Sequence, residues 1–135
     1  MATDSENQQT YTITQEGEKT IILTFTKILS EEESNHQAEE VVATIMAIFS
    51  KNPQKSFNLI IDLTKLESLP SFFTDRSRNV YTTLSKHPQL LRVAVVGANI
   101  FYKLVTNFLM TSTGKGLRIQ WFDNKPDAIS WLNKD

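Results

Sequence analysis

The chain has 135 residues, 40% of them hydrophobic and 21% charged, with a formal net charge of −1. That length suits one domain whose core folds without metal or disulfide, and the near-neutral balance gives no electrostatic footprint for nucleic acid or an anionic membrane. Cysteine is absent, which removes disulfides, thiolate metal sites and a cysteine nucleophile. The start, MATDSENQQT, is polar and acidic, unlike a signal peptide, and no apolar run reaches the ~18 residues of a membrane span. The expectation is a soluble, cytoplasmic protein with a disordered tail over residues 1–10 and one domain over residues 11–135.

Tyr11 to Gln15 and Thr20 to Thr26 read as two strands. Between them Glu16-Gly17-Glu18-Lys19 forms a hairpin turn in which Gly17 takes positive φ. Ser30 with Glu33 is a capping box. It opens a helix with Ala38, Val41, Val42, Ile45, Ile48 and Phe49 at helical spacing, and Asn52-Pro53 ends it. The acidic run Glu31-Glu32-Glu33 belongs to its first turn, where it complements the dipole.

FNLIID, from Phe57 to Asp62, has consecutive apolar residues, the mark of a strand buried on both faces. A second helix is predicted over Thr74 to Ser85, closed by His87-Pro88. Arg92 to Val96 is the next strand. Asn99 caps a third helix, which carries Phe101, Leu104, Val105, Phe108 and Leu109 and ends at Gly114-Lys115-Gly116. Leu117 to Phe122 alternates, as an edge strand does. Asp123 and Asn124 are cap candidates for the last helix, with Pro126 in its first turn and Ala128, Ile129, Trp131 and Leu132 packed down. The order ββαβαβαβα predicts an α/β fold: a mixed sheet of about five strands, an N-terminal antiparallel hairpin followed by parallel βα units with right-handed crossovers.

Catalytic signatures are missing. Neither GxGxxG nor GxxxxGK[ST] occurs, nor does GxSxG. His36 and His87 read as surface residues without partners for acid–base work. The carboxylates are scattered, so neither a metal nor another cofactor is expected. Asp62 at a strand end and Lys125-Pro126 after the last strand invite comparison with a phosphoaspartate site. That chemistry needs an acidic pair for magnesium, which no early strand supplies. Asp62 is therefore read as a turn cap and Lys125-Pro126 as a helix start.

The segment Leu66 to Arg78 remains. In an open α/β sheet the carboxyl ends of strands are where binding sites form. Ser68, Ser71 and Thr74 lie before a helix start, where a phosphate gains from free N–H groups and the dipole, and Arg76 and Arg78 are close enough in sequence to pair with an anion. Ser71 or Thr74 as a plain N-cap is the competing reading. Leu69, Phe72 and Phe73 form a binding patch if exposed and core if tucked under the sheet. Together with Phe101, Tyr102 and Phe108 they also compose a pocket for a small apolar ligand or lipid. The edge strand ending at Phe122, or the hairpin, offers pairing with a second copy.

The order of elements, FNLIIDLTKLESL leading into a loop, LRVAVVG as the next strand and the ending IQWFDNKPDAISWL resemble the STAS domain, specifically the SpoIIAA-like family related to anti-sigma-factor antagonists. The resemblance covers about Tyr11 to Leu132. It implies a non-enzymatic regulatory domain that binds another protein, regulatory or kinase-like. It also implies partner switching, in which a serine at the helix start after this strand is phosphorylated and binding is lost. By position that serine is Ser71, with Ser68 and Thr74 as neighbours. The family motif there is Asp-Ser-(Ser/Thr)-Gly, whereas this chain has Pro70-Ser71-Phe72-Phe73; in this it resembles SpoIIAA-like members outside the sigma-factor pathway, which often lack the motif. The implied partner surface is Leu69, Phe72, Phe73 and Arg76.

Overall fold

Residues 10–26, 31–65, 76, 79–80, 83–84, 86–97 and 118–134 are described by the computed structural model. They form an α/β fold around a five-stranded mixed sheet: β1 (Tyr11–Glu16), β2 (Thr20–Phe25), α1 (Glu31–Lys51), β3 (Phe57–Asp62), β4 (Leu90–Val96), β5 (Arg118–Phe122) and α2 (Lys125–Leu132). The strands lie in chain order, β1-β2-β3-β4-β5. β1 and β2 are antiparallel, and every later pairing is parallel. The predicted third helix lies outside the described residues. Of the predicted second helix, Arg76, Asn79, Val80, Thr83 and Leu84 are helical.

The hairpin is tighter than its sequence suggests. Glu16 pairs with Thr20, so β1 takes Glu16 and the turn is reduced to residues 17–19. Gly17 has φ of 69°, the left-handed region that glycine enters without steric cost. Thr10 is not part of a tail. Its carbonyl accepts from the Thr26 N–H at 2.9 Å, and its hydroxyl accepts from Gln37 Nε2 at 2.6 Å.

Side chains alternate across the sheet because the strand period is two, and the register turns that alternation into rows. Ile21, Leu59, Val93 and Ile119 are successive partners, as are Leu23, Ile61, Val95 and Trp121. Both rows join the larger core cluster, where Val41, Val42, Ile45 and Phe49 of α1 pack, together with Leu84. These α1 residues recur at three- and four-residue steps and form the buried stripe of an amphipathic helix. Phe49 is fully buried and stacks on Phe57 with ring centroids 5.5 Å apart. Asn52 closes the helix, its Nδ2 donating to the Ile48 carbonyl at 2.8 Å. Burying side chains of this size stabilises the fold by about 1.5–3 kcal/mol each.

The opposite face carries Ile22, Ile60, Ala94 and Val96, covered by Ala128 and Leu132 of α2. Those two are four residues apart and so share one side of the helix. Asn124 is the N-cap, its Oδ1 accepting from the Asp127 N–H at 2.9 Å. Arg92 binds the other end of α2. Its Nη1 donates to the carbonyls of Trp131 at 2.9 Å and Lys134 at 2.8 Å, and its guanidinium lies 5.5 Å from the Trp131 ring centre. The cation thus meets the negative end of the helix dipole. Among the described residues, no helix is long and apolar enough to cross a membrane.

Candidate functional site

The carboxyl ends of the parallel strands lie together. There the register runs Thr24, Asp62, Val96, Phe122 from β2 to β5. The sheet bonding continues past the strand ends. Leu63 N–H donates to the Val96 carbonyl at 2.8 Å, and Gly97 N–H to the Phe122 carbonyl at 3.2 Å. Leu63 is 1% exposed, so the chain leaving β3 stays on the sheet for one more residue before it turns at Thr64 and Lys65.

Asp62 sits in the middle of this edge and is buried. One carboxylate oxygen, Oδ1, accepts from the Thr64 N–H at 2.9 Å and from the Thr64 hydroxyl at 2.6 Å. The other, Oδ2, accepts from Lys125 Nζ at 3.1 Å. The side chain of Asp62 is 4% exposed and that of Lys125 41%. Burial pushes the Asp62 carboxyl up, but the Thr64 hydroxyl and amide and the Lys125 ammonium outweigh it and hold the group below its ordinary value. The carboxylate is charged, with both oxygens occupied. Three donors, two from Thr64 and one from Lys125, thus hold the carboxylate in a fixed orientation.

The turn-capping role read for Asp62 in the sequence is therefore present. Reading Lys125-Pro126 as a helix start alone needs correction, because Lys125 is also the counter-ion of Asp62. A local signal for this existed: lysine at the first position of a helix opposes the dipole, and such a placement asks for a compensating anion.

His87 also needs correction. It is half-buried, not a free surface residue: its ring lies 4.6 Å from that of Phe49, and Nδ1 accepts from the Gln89 N–H at 3.1 Å. Beside it, Gln89 Nε2 donates to the carbonyls of Phe49 at 3.2 Å, Asn52 at 2.9 Å and Lys55 at 2.8 Å, tying the end of α1 to the start of β4. His36 is exposed and contacts Glu40 at 2.9 Å. Glu40 in turn accepts from the Tyr11 hydroxyl at 3.1 Å. Burial and the Glu40 carboxylate both raise the Tyr11 phenol above its ordinary value. Among the described residues, no three histidine or carboxylate side chains converge as metal ligands would.

Of the residues assigned to partner binding, Arg76 is described. It is exposed, and its Nη2 donates to Glu39 Oε2 of α1. Leu69, Phe72 and Phe73, and the phosphate-acceptor candidates Ser68, Ser71 and Thr74, lie outside the described residues, as do Phe101, Tyr102 and Phe108 of the apolar pocket. A pocket of about 330 Å³ opens at the far end of the sheet, between residues 16–20 and Ile129 and Asn133 of the last helical turn. Its rim includes Glu16, Glu18 and Lys19, a charged lining unsuited to an apolar ligand. No family model and no curated protein matches this chain.

Proposed function

We propose that this chain is a non-enzymatic regulatory domain that binds another protein through the surface spanning Leu66 to Arg78, in the manner of STAS-like modules. The observation that carries the reading is the state of Asp62. Among the described residues it is the buried acid at the carboxyl edge of the sheet, and it is held in an ion pair and an Asx-type turn. Strand order supports the same conclusion. In open α/β sheets small ligands settle in the crevice where strand order reverses, and among the described strands order follows the chain throughout. What the strand ends offer is a fixed exit for a segment rich in aromatic and hydroxyl side chains.

The test uses three forms of the intact protein: wild type, Phe72→Ala/Phe73→Ala and Arg76→Ala. Each is checked for a native circular-dichroism spectrum and melting profile, then used to capture partners from native extract. The captured protein is purified and its affinity measured directly. The expected result is one partner that binds wild type and binds the folded variants at least tenfold more weakly. A partner that binds all three alike, or a lipid that co-purifies in place of any partner, overturns the proposal. Phosphate on Ser68, Ser71 or Thr74 in the recovered protein adds the switch.

A further inference from the structure

We infer that Lys125 is a positioning residue for the exit from β3, so that α2 and the turn opening the proposed partner surface are mechanically one unit. The inference rests on the proposed function only for the use made of that turn. Its geometry stands alone.

The first observation is the connection. Asp62 is the last residue of β3, and Lys125 the first of α2. The same carboxylate that holds Lys125 also holds both the amide and the hydroxyl of Thr64. Whatever moves one oxygen moves the other, because the carboxylate is a rigid plane.

The second observation is the placement of the cation. α2 is already served at its start by the Asn124 cap and by Asp127 in its first turn, groups that complement the dipole. A lysine at the first position works against that dipole. The helix does not need Lys125, whereas the buried carboxylate does, since an ionised group out of water requires a partner.

The third observation concerns two described places in the chain, the Asp62–Thr64 turn and Arg76. The Asp62–Thr64 turn is tied to α2 through Lys125. Arg76 is tied to Glu39 of α1. α1 and α2 pack on opposite faces of the sheet. The Asp62 end is bonded to a nearly buried carboxylate, while the Arg76 pair is exposed on both sides. The Asp62–Lys125 pair is thus the less screened of the two, and the Arg76–Glu39 pair the one that salt or a partner's charges weaken.

The experiment is backbone-amide hydrogen exchange with chemical-shift mapping by NMR on the full, partner-free protein, comparing wild type, Lys125→Met and Lys125→Arg. In Lys125→Met, the Thr64 amide is expected to exchange at least fivefold faster, and the signals of Thr64 and Lys65 to shift. The amides of Ile22, Leu59 and Val93 stay within twofold of wild type. Lys125→Arg, which keeps the cation, stays near wild type throughout. The pH titration followed at the Thr64 amide moves to a higher midpoint in Lys125→Met, a change that loss of packing alone does not produce. An unchanged Thr64 amide, or an increase shared equally by β2, β3 and β4, overturns the inference. Because no partner is present, failure here is separable from failure of the proposed function.

Discussion

Replacing Asp62 with Asn isolates the charge at the sheet edge. The amide keeps the shape of the carboxylate and its Oδ1 still accepts from Thr64, but its NH2 group now faces the Lys125 ammonium, donor against donor. Removing one partner of a fully buried ion pair costs about 3–5 kcal/mol, and an exposed pair contributes about 0–1 kcal/mol. With Asp62 4% exposed and Lys125 41% exposed, Lys125 regains water once released, so the expected loss is about 2 kcal/mol near neutral pH. This agrees with the ~1.5–3 kcal/mol typical of a hydrogen bond to a charged group. The sign with pH follows from the depressed carboxyl. Its stabilisation is fully present above the ordinary value of 3.8 and is lost as pH falls through the lower value of the folded protein. Urea unfolding with linear extrapolation, run from neutral pH down to about pH 3, should show the gap between wild type and Asp62→Asn constant above about pH 5 and narrowing below about pH 4. A gap under about 0.5 kcal/mol at neutral pH, or one that widens on acidification, refutes the argument that Asp62 is held ionised by its neighbours.

Phe49→Ala removes a fully buried ring that contacts both Phe57 and His87, and should cost about 3–5 kcal/mol by urea unfolding. A loss below about 2 kcal/mol means that the site collapses and that the ring contacts add little. Gln89→Ala leaves the carbonyls of Phe49, Asn52 and Lys55 without their side-chain donor, for about 1–3 kcal/mol. Amide exchange at Lys55, whose N–H donates to the Asn52 carbonyl, should rise before that of β3, and equal rises contradict the local reading. Arg76→Ala breaks an exposed pair and should change stability by less than about 1 kcal/mol; a larger loss in the same denaturation assay removes it as a binding probe.

The sheet was legible where a strand carried its own boundaries. FNLIID is bounded by a helix stop before it and by Asp62 after it, and the observed strand coincides with it. β4 begins at Leu90, earlier than the expected Arg92. Leu91 is 45% exposed, so LLR shows no clean alternation, and Leu90 joins the strand by pairing with Phe57 across an irregularity in the register. The edge position of β5 follows from its alternation. The Asp62–Lys125 pair and the burial of His87 were not legible, because each depends on a partner far along the chain. Local pattern reports that a lysine is misplaced against a helix dipole, and topology alone reports which carboxylate it meets.

A sheet whose spatial order equals its chain order can be assembled as it is synthesised. Each strand emerging from the ribosome finds its neighbour already made, and the growing edge waits for the next. α2 then packs on the second face of the sheet. Until residues 125–132 appear, the Asp62 carboxylate lacks the Lys125 ammonium and the row of Ile22, Ile60 and Ala94 lacks the packing of Ala128 and Leu132. A chain cut before α2 therefore loses the Lys125 partner of that carboxylate and the Ala128 and Leu132 cover of that row, and newly exposed apolar surface of this kind draws partly made proteins into aggregates.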